Sequence, residues 1–203
     1  MTSVDLQEVM AGLDRGALAG STERILNRGG WGNPDVLLVG TPAGRVVVKD
    51  FAPRRAWLRR SFGRWLLARE LRAYRRLEGV AAVPRLLGRL DADAIVIEYR
   101  PGVLLSRSLA GTLPDGFLGE LEDAIESMHR RGVVHLDLRH RSNILAGDDG
   151  HPVVLDFASA IRFDPTCASG RAGIGLLAWI DRRALRKWRA RLGQPLASSG
   201  AAV

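Results

Sequence analysis

The chain is poor in lysine, cysteine and long apolar runs, and each shortage excludes something. Of its thirty basic residues only Lys49 and Lys187 are lysine, and the other twenty-eight are arginine. Cys167 is the single cysteine, so no internal disulfide can form and no Cys/His cluster offers a structural zinc site. A reducing compartment fits. No stretch approaches the ~20 apolar residues of a membrane span, and the N-terminal MTSVDLQEVMAGLDRGALAG carries acids early and lacks the apolar core of a signal peptide. The expectation is a cytoplasmic protein whose membrane contact, if it has one, is peripheral at the inner face of the membrane. What is present describes a globular chain. Its 203 residues are 46% hydrophobic and 26% charged, with a net charge of +8, enough for one domain or two tightly joined lobes.

The first half reads as strands around one principal helix. Residues 5–13 have the pattern of a short amphipathic helix, and residues 24–28 lead into the glycine cluster Gly29-Gly30-Trp31-Gly32. Val36 to Val39, the turn Thr41-Pro42-Ala43-Gly44, and Val46 to Val48 form a hairpin pattern. Two further strands, Arg85 to Leu90 and Ala94 to Tyr99, flank an Asp-rich turn, giving five strands in all. Between Pro53 and Glu78 the period is helical. Trp57, Leu58, Phe62 and Trp65 share one side and Leu66, Leu67, Tyr74 and Leu77 another, with the change of face around Ser61 and Gly63.

Two charged residues stand out against that pattern. Lys49 ends the third strand, on the face opposite Val48, and an ordinary surface lysine is the first reading. In a chain that otherwise uses arginine, it also suits a site that needs a compact ammonium rather than a planar fork. Glu70 sits near the middle of the second apolar stripe. Burying an unpaired carboxylate costs several kcal/mol, so a cation must reach it from outside the helix, and Lys49 is the candidate.

In the second half, Arg100-Pro101-Gly102 interrupts the pattern. A helix follows from Phe117 to Arg130, with Phe117, Leu121, Ala124, Ile125 and Met128 inward and Gly132 as its cap. Strands are scarce there apart from the hairpin-like stretch Asn143 to Phe157. Leu176 to Leu192 reads as a basic helix, and Ala197 to Val203 as a small-residue tail. Two runs carry chemistry: His135-Leu136-Asp137-Leu138-Arg139-His140-Arg141-Ser142-Asn143, and Val153-Val154-Leu155-Asp156-Phe157. Each run is common alone. Taken in order with the glycine loop, Lys49 and Glu70, they form phosphoryl-transfer equipment: backbone N–H groups and a lysine for phosphates, Asp and Asn for Mg²⁺.

From Ile25 to Ala160 the chain resembles the protein-kinase-like superfamily, in a small bacterial branch similar to the lipopolysaccharide (Kdo and heptose) kinases and, less closely, the RIO kinases. That resemblance implies an α+β bilobal fold, with an N-lobe over 1–98 and an abbreviated helical C-lobe over 99–203. It implies ATP and Mg²⁺ as cofactors. Gly29, Gly30 and Gly32 would lie over the phosphates, Lys49 and Glu70 would be the strand lysine and its helix partner, and Glu98 and Arg100 would fall in the adenine-binding hinge. Asp137 would orient or deprotonate the acceptor hydroxyl, Arg139 would contact phosphate, and Asn143 and Asp156 would hold the metal. The acceptor implied is a lipopolysaccharide-core sugar or another small anionic molecule. A RIO-like Ser/Thr kinase or ATPase, or a nucleotide-binding scaffold without activity, are the alternatives.

Several departures accompany the resemblance. Asn143 lies six residues after Asp137, where the protein-kinase motif leaves five, so one of His140, Arg141 or Ser142 must bulge. The loop is Gly-Gly-Trp-Gly rather than G-x-G-x-x-G, Asp-Phe-Ala replaces Asp-Phe-Gly, and no Ala-Pro-Glu follows. Only forty-seven residues follow Asp156, few for a peptide-binding lobe.

The basic surface admits three readings. Between Arg54 and Arg76 there are nine arginines and one acid, and Arg182 to Arg191 holds six bases and no acid. Trp57, Phe62, Trp65, Trp179 and Trp188 interleave with them. An anionic headgroup or glycolipid surface suits the pattern, nucleic acid competes and is set aside beside the phosphotransfer motifs, and a solvated helix face explains much of it. His135 is expected to pack rather than act as a base, His129 to be exposed near its helix end, His140 and His151 to be loop residues, and Cys167 to be no nucleophile.

Overall fold

In a computed structural model of the chain, the described residues are 9–10 and 12–193. The helix expected over 5–13 falls largely outside them, and the tail 197–203 entirely so. The fold is α+β and divides into two compact units. One comprises the described residues up to Glu78 with Pro84–Tyr99, and the other comprises Gly79–Val83 with the described residues from Arg100 onward. Five residues from within the 1–98 segment thus pack with the second unit, where Val154 N donates to Ala82 O at 2.7 Å. No helix among the described residues is long and apolar enough to cross a membrane.

The first unit is a five-stranded antiparallel sheet: β1 (Thr22–Asn27), β2 (Asp35–Thr41), β3 (Gly44–Asp50), β4 (Leu86–Arg89) and β5 (Ala94–Glu98), in the order β1-β2-β3-β5-β4. Valine-rich β3 is central, and its register sets Val48 opposite Val96 and Lys49 opposite Ile95. Alternation then sorts the faces. Val46, Val48, Ala94 and Val96 join Val9, Leu13, Leu18 and Val39 in one core cluster, so Val47 and Lys49 point to the opposite face. The expected change of face before the main helix is a π-helical turn, Arg59–Gly63, which follows the short turn Ala56–Leu58 and leads into α1 (Arg64–Arg76). The wider turn rotates the apolar stripe. Leu66, Leu67, Glu70, Leu71 and Tyr74 of α1 are buried, whereas Trp57, Phe62 and Trp65 before and at its start are exposed. Helix α1 packs against β4 and β5.

The second unit holds α2 (Phe117–Arg130), whose expected inner face is buried throughout, and α3 (Ala168–Leu192), which packs against it. It has more strand than the sequence pattern suggests. Gly102–Leu104 is strand β6, where an interruption is expected, and it pairs with β8 (Ile144–Gly147), which pairs in turn with β9 (Pro152–Val154). Glycine makes β6 possible, because a Cβ at Gly102 would meet Ala146 O at 2.4 Å. Two shorter strands, β7 (Val133–Val134) and β10 (Ile161–Arg162), also pair. Helix α3 starts eight residues earlier than its basic pattern does. Gly170, Gly173 and Gly175 lower helix propensity there, and the Cys167 thiol caps the turn by accepting from Gly170 N at 3.3 Å.

Candidate active site

In the first unit the two outlying charges meet. Lys49 is 7% exposed and Glu70 2% exposed, and the Nζ of Lys49 donates to Oε1 of Glu70. Strand β3 carries the ammonium to the helix-covered face, and the apolar stripe of α1 carries the carboxylate to meet it. Such a pair contributes little net stability over apolar residues of the same volume, yet it is expensive to break.

The glycine loop joins β1 to β2 and is pinned from within. Gly29 N donates to Asp35 Oδ1 at 2.9 Å, and Asp35 is also ion-paired with Arg54. A Cβ at Gly29 would lie 2.2 Å from Asn33 O, so this glycine closes the loop on itself. Its amide is therefore turned to Asp35. Nothing lies within 4 Å of a Cβ built at Gly30, and Gly32 has only the Phe62 ring at 3.6 Å. Trp31 packs against Trp57 in a tilted arrangement, with centroids 5.7 Å apart. At the far end of β5, Glu98 N donates to Arg85 O at 2.9 Å and the Glu98 carboxylate accepts from Arg85 N at 3.0 Å. That side chain is committed to the β4 edge.

In the second unit the run from His135 to Asn143 forms a tight loop between β7 and β8. Asn143 is buried, and its Nδ2 donates both to Asp137 O at 2.9 Å and to Asp137 Oδ2 at 3.1 Å. The Asp137 carboxylate is thereby fixed in direction. Ser142 Oγ donates to Asn143 Oδ1 at 2.9 Å and lies 2.6 Å from His140 Nδ1. The extra residue of the loop is absorbed by a 3₁₀ turn, Arg141–Asn143, with His140, Arg141 and Ser142 exposed. Leu155 N donates to Asn143 O at 2.8 Å, and Asp156 follows in the left-handed region at φ 63°, with its Oδ1 3.4 Å from Ala158 N. A non-glycine residue held there stores strain of about 1–3 kcal/mol, a pattern that concentrates at functional sites.

His135 is fully buried and packs on Phe157 with centroids 5.0 Å apart. Its Nε2 donates to Leu155 O at 2.9 Å, leaving Nδ1 to accept from Asp137 N at 3.4 Å. Burial holds its pKa below the usual histidine value, against the opposing pull of Asp181, so it is a neutral packing residue.

Three residues position this loop in a way the sequence reading does not foresee. Asp181 of α3 is 0% exposed, and its two oxygens accept from His135 N and Leu136 N, each at 2.8 Å. Those contacts sit at Leu136, whose φ of 72° is also left-handed. His129, expected to be exposed, is buried, and its Nε2 donates to Asp181 Oδ2 at 2.9 Å. Trp188 is not a surface aromatic either; it is 2% exposed and donates from Nε1 to Leu138 O at 2.9 Å. The signal was present. Asp181 is the single acid of α3 and falls on the stripe Ala178, Leu185, Trp188 and Leu192, the argument that singled out Glu70.

A Mg²⁺ ion takes oxygen ligands, typically one or two carboxylates, and fills its remaining positions with water and substrate phosphate. Asn143 Oδ1 and the Asp156 carboxylate are donors of that kind, so the residues fit. Among the described residues no group of three or more His, Cys, Asp or Glu forms a fuller cluster. Arg139 is exposed beside the loop and lines a groove described below. The guanidinium of Arg100 lies 3.7 Å from Asp149 and lines a separate cavity of about 400 Å³ with Gly79–Ala82, Glu120 and His151.

No protein-family profile matches the chain. It is 34% identical over 83 residues to serine/threonine-protein kinase PKH3 of Saccharomyces cerevisiae, covering 38% of this chain and 9% of that one. It is 32% identical over 138 residues to a probable SapB synthase of Streptomyces coelicolor, covering 58% and 15%. Serine/threonine-protein kinase 16 of Mus musculus matches at 33% over 66 residues, covering 32% and 21%. The chain spans about a fifth or less of the length of these curated relatives. Short segments of the chain are thus similar to serine/threonine protein kinases.

Proposed function

We propose that the protein is an ATP- and Mg²⁺-dependent kinase of protein-kinase-like, bilobal architecture that transfers the γ-phosphoryl group to a hydroxyl. The observation that carries this reading is the buried Lys49–Glu70 pair. Apolar residues of similar volume would hold sheet and helix together as well, so the pair is retained for its ammonium, set at a strand end behind a glycine loop. Bound Mg²⁺·ATP supplies the phosphoryl group and neutralises charge as it moves. Lys49 grips the phosphates, with Glu70 holding it in place. Asn143 and Asp156 are the metal ligands. Asp137, its carboxylate aimed by Asn143 Nδ2, receives and orients the acceptor hydroxyl, and Arg139 offsets phosphate charge. Transfer is direct, and positioning supplies most of the acceleration.

The acceptor is a small-molecule or glycan hydroxyl, the class to which the resemblance to lipopolysaccharide kinases points. The similarity to named serine/threonine protein kinases favours a second reading, transfer to Ser or Thr of a protein. Incubation with γ-labelled ATP and Mg²⁺ against lipopolysaccharide-core fragments, small sugars and generic protein substrates separates them. Label in the sugar pool supports the first reading and label in protein the second. No label in any pool, with Mg²⁺·ATP bound, contradicts both.

A further inference from the structure

Beside the Asp137 loop lies a groove of about 960 Å³ that shares only Arg139 with the phosphotransfer parts. Its walls include Leu136 and Arg139 of the loop and Trp179, Arg183, Arg186 and Lys187 of α3. Four of the eight lining residues are cations, and the lining contains no acid. Three arginines of the same unit do have acidic partners: Arg100 faces Asp149, Arg130 faces Glu126 and Arg189 faces Glu122. Among the described residues none of the four groove cations is ion-paired. Positions 179, 183, 186 and 187 share one helix face, and Trp179, 50% exposed, offers an open indole there. Four exposed cations gathered on one concave surface without an acidic neighbour suit an anionic ligand.

Charge and length narrow that anion. A phosphate monoester carries roughly −1.5 to −2 at neutral pH, so two of them match the four cations within one compact molecule. Arginine forks suit phosphate in particular. From Trp179 to Lys187 the helix rises only about 12 Å. An extended peptide of that length has about four residues, nearly all of which would have to be acidic to supply the same charge. Single-stranded nucleic acid sites typically run to about four or more nucleotides, longer than this groove. A membrane surface is flat, and this site is concave.

The geometry points to a docking site for a soluble polyol bisphosphate, whose free hydroxyl would be presented to the Asp137 loop while its phosphates engage Arg183, Arg186 and Lys187. Trp179 packs against the apolar side of the polyol. That this molecule is the phosphoryl acceptor rests on the kinase reading; its binding in the groove does not.

The test is calorimetric titration of the full chain with fructose 1,6-bisphosphate, with fructose, oligo(dT) and phosphatidylglycerol vesicles titrated in parallel. The bisphosphate binds wild type with a salt-dependent affinity, and fructose does not. Arg183→Glu/Arg186→Glu weakens binding by about 100-fold, roughly tenfold per charge reversed. Arg183→Gln/Lys187→Gln, which only neutralises two exposed groups on the helix, weakens it by about tenfold. Arg72→Glu/Arg75→Glu, on exposed positions of α1, leaves it unchanged. Circular dichroism establishes that each variant is folded. Failure of wild type to bind the bisphosphate, equal binding by the groove variants, or loss in those variants of vesicle or oligo(dT) binding alone would overturn the assignment. Titration with Mg²⁺·ATP is read separately. A chain that takes the bisphosphate but not the nucleotide upholds the groove and sinks the kinase reading, and the converse sinks the groove alone.

Discussion

The two units bury charge in different ways. In the first, a side chain meets a side chain: Lys49 from a strand and Glu70 from a helix, twenty-one residues apart. In the second, the carboxylate of Asp181 accepts from one side chain, His129, and otherwise meets main chain, holding the His135 and Leu136 amides from forty-six and forty-five residues away. The first arrangement leaves its trace in local periodicity, since each partner interrupts an apolar stripe. The second leaves half a trace, because main-chain amides have no sequence signature and only Asp181 breaks its stripe. The difference also predicts distinct failures. An ion pair can be replaced whole, whereas a carboxylate that satisfies backbone amides at a left-handed residue has no apolar substitute.

The largest effect is expected at Glu70. Glu70→Ala leaves a buried ammonium without its carboxylate and should cost about 3–5 kcal/mol in denaturant unfolding. The double change Lys49→Met/Glu70→Leu should restore stability to near wild type while abolishing phosphotransfer. If the double variant is as unstable as the single one, the pair is structural and the contrast between the units fails. Asp181→Asn comes next. It keeps one acceptor oxygen and loses the other, leaving a loop amide unpaired for about 1–3 kcal/mol, and no apolar replacement should rescue it. Full recovery in Asp181→Leu would contradict the anchoring role.

A smaller contrast lies inside the glycine loop. Gly29→Ala must push back Asn33 and should destabilise by about 1–2 kcal/mol, within the usual range for overpacking, whereas Gly30→Ala, which meets nothing, should fall within about 0.5 kcal/mol of wild type. Thermal denaturation of the two variants distinguishes a loop closed on itself from one whose glycines are interchangeable.

The smallest effect concerns pH. Glu120 lies 2.7 Å from His151 Nδ1 and raises the His151 pKa through that hydrogen bond and its charge. A raised histidine pKa adds stability below the unfolded-state value near 6.5 that is lost as pH rises through the folded value. Glu120→Gln should return the NMR titration midpoint of His151 toward its ordinary value. An unchanged midpoint would show that the pair does not form in solution.

Much of the first unit is legible from sequence because its elements are local and periodic: five strands, the change of face at the π turn, and the Lys49–Glu70 meeting all follow from alternation and helical stripes. The second unit hides more. Glycines mask the first eight residues of α3 and the strand at Gly102. Trp188 reads as a surface residue because it stands between Lys187 and Arg189, and His129 because it lies near its helix end, yet both turn inward to support the Asp137 loop. Its run of bases makes the helix α3 look uniform in sequence, although one of its faces lines a groove and another is core.

The central claim is that Lys49 and Asp137 act on the same phosphoryl group, one on the nucleotide and one on the acceptor. Transfer from γ-labelled ATP, measured beside equilibrium Mg²⁺·ATP binding for wild type, Lys49→Met and Asp137→Asn, tests it most directly. The account predicts that Asp137→Asn binds nucleotide like wild type and transfers at least about a thousandfold more slowly, while Lys49→Met loses nucleotide affinity and transfer together. Wild-type transfer by Asp137→Asn, or Mg²⁺·ATP binding indifferent to Lys49→Met, would contradict it.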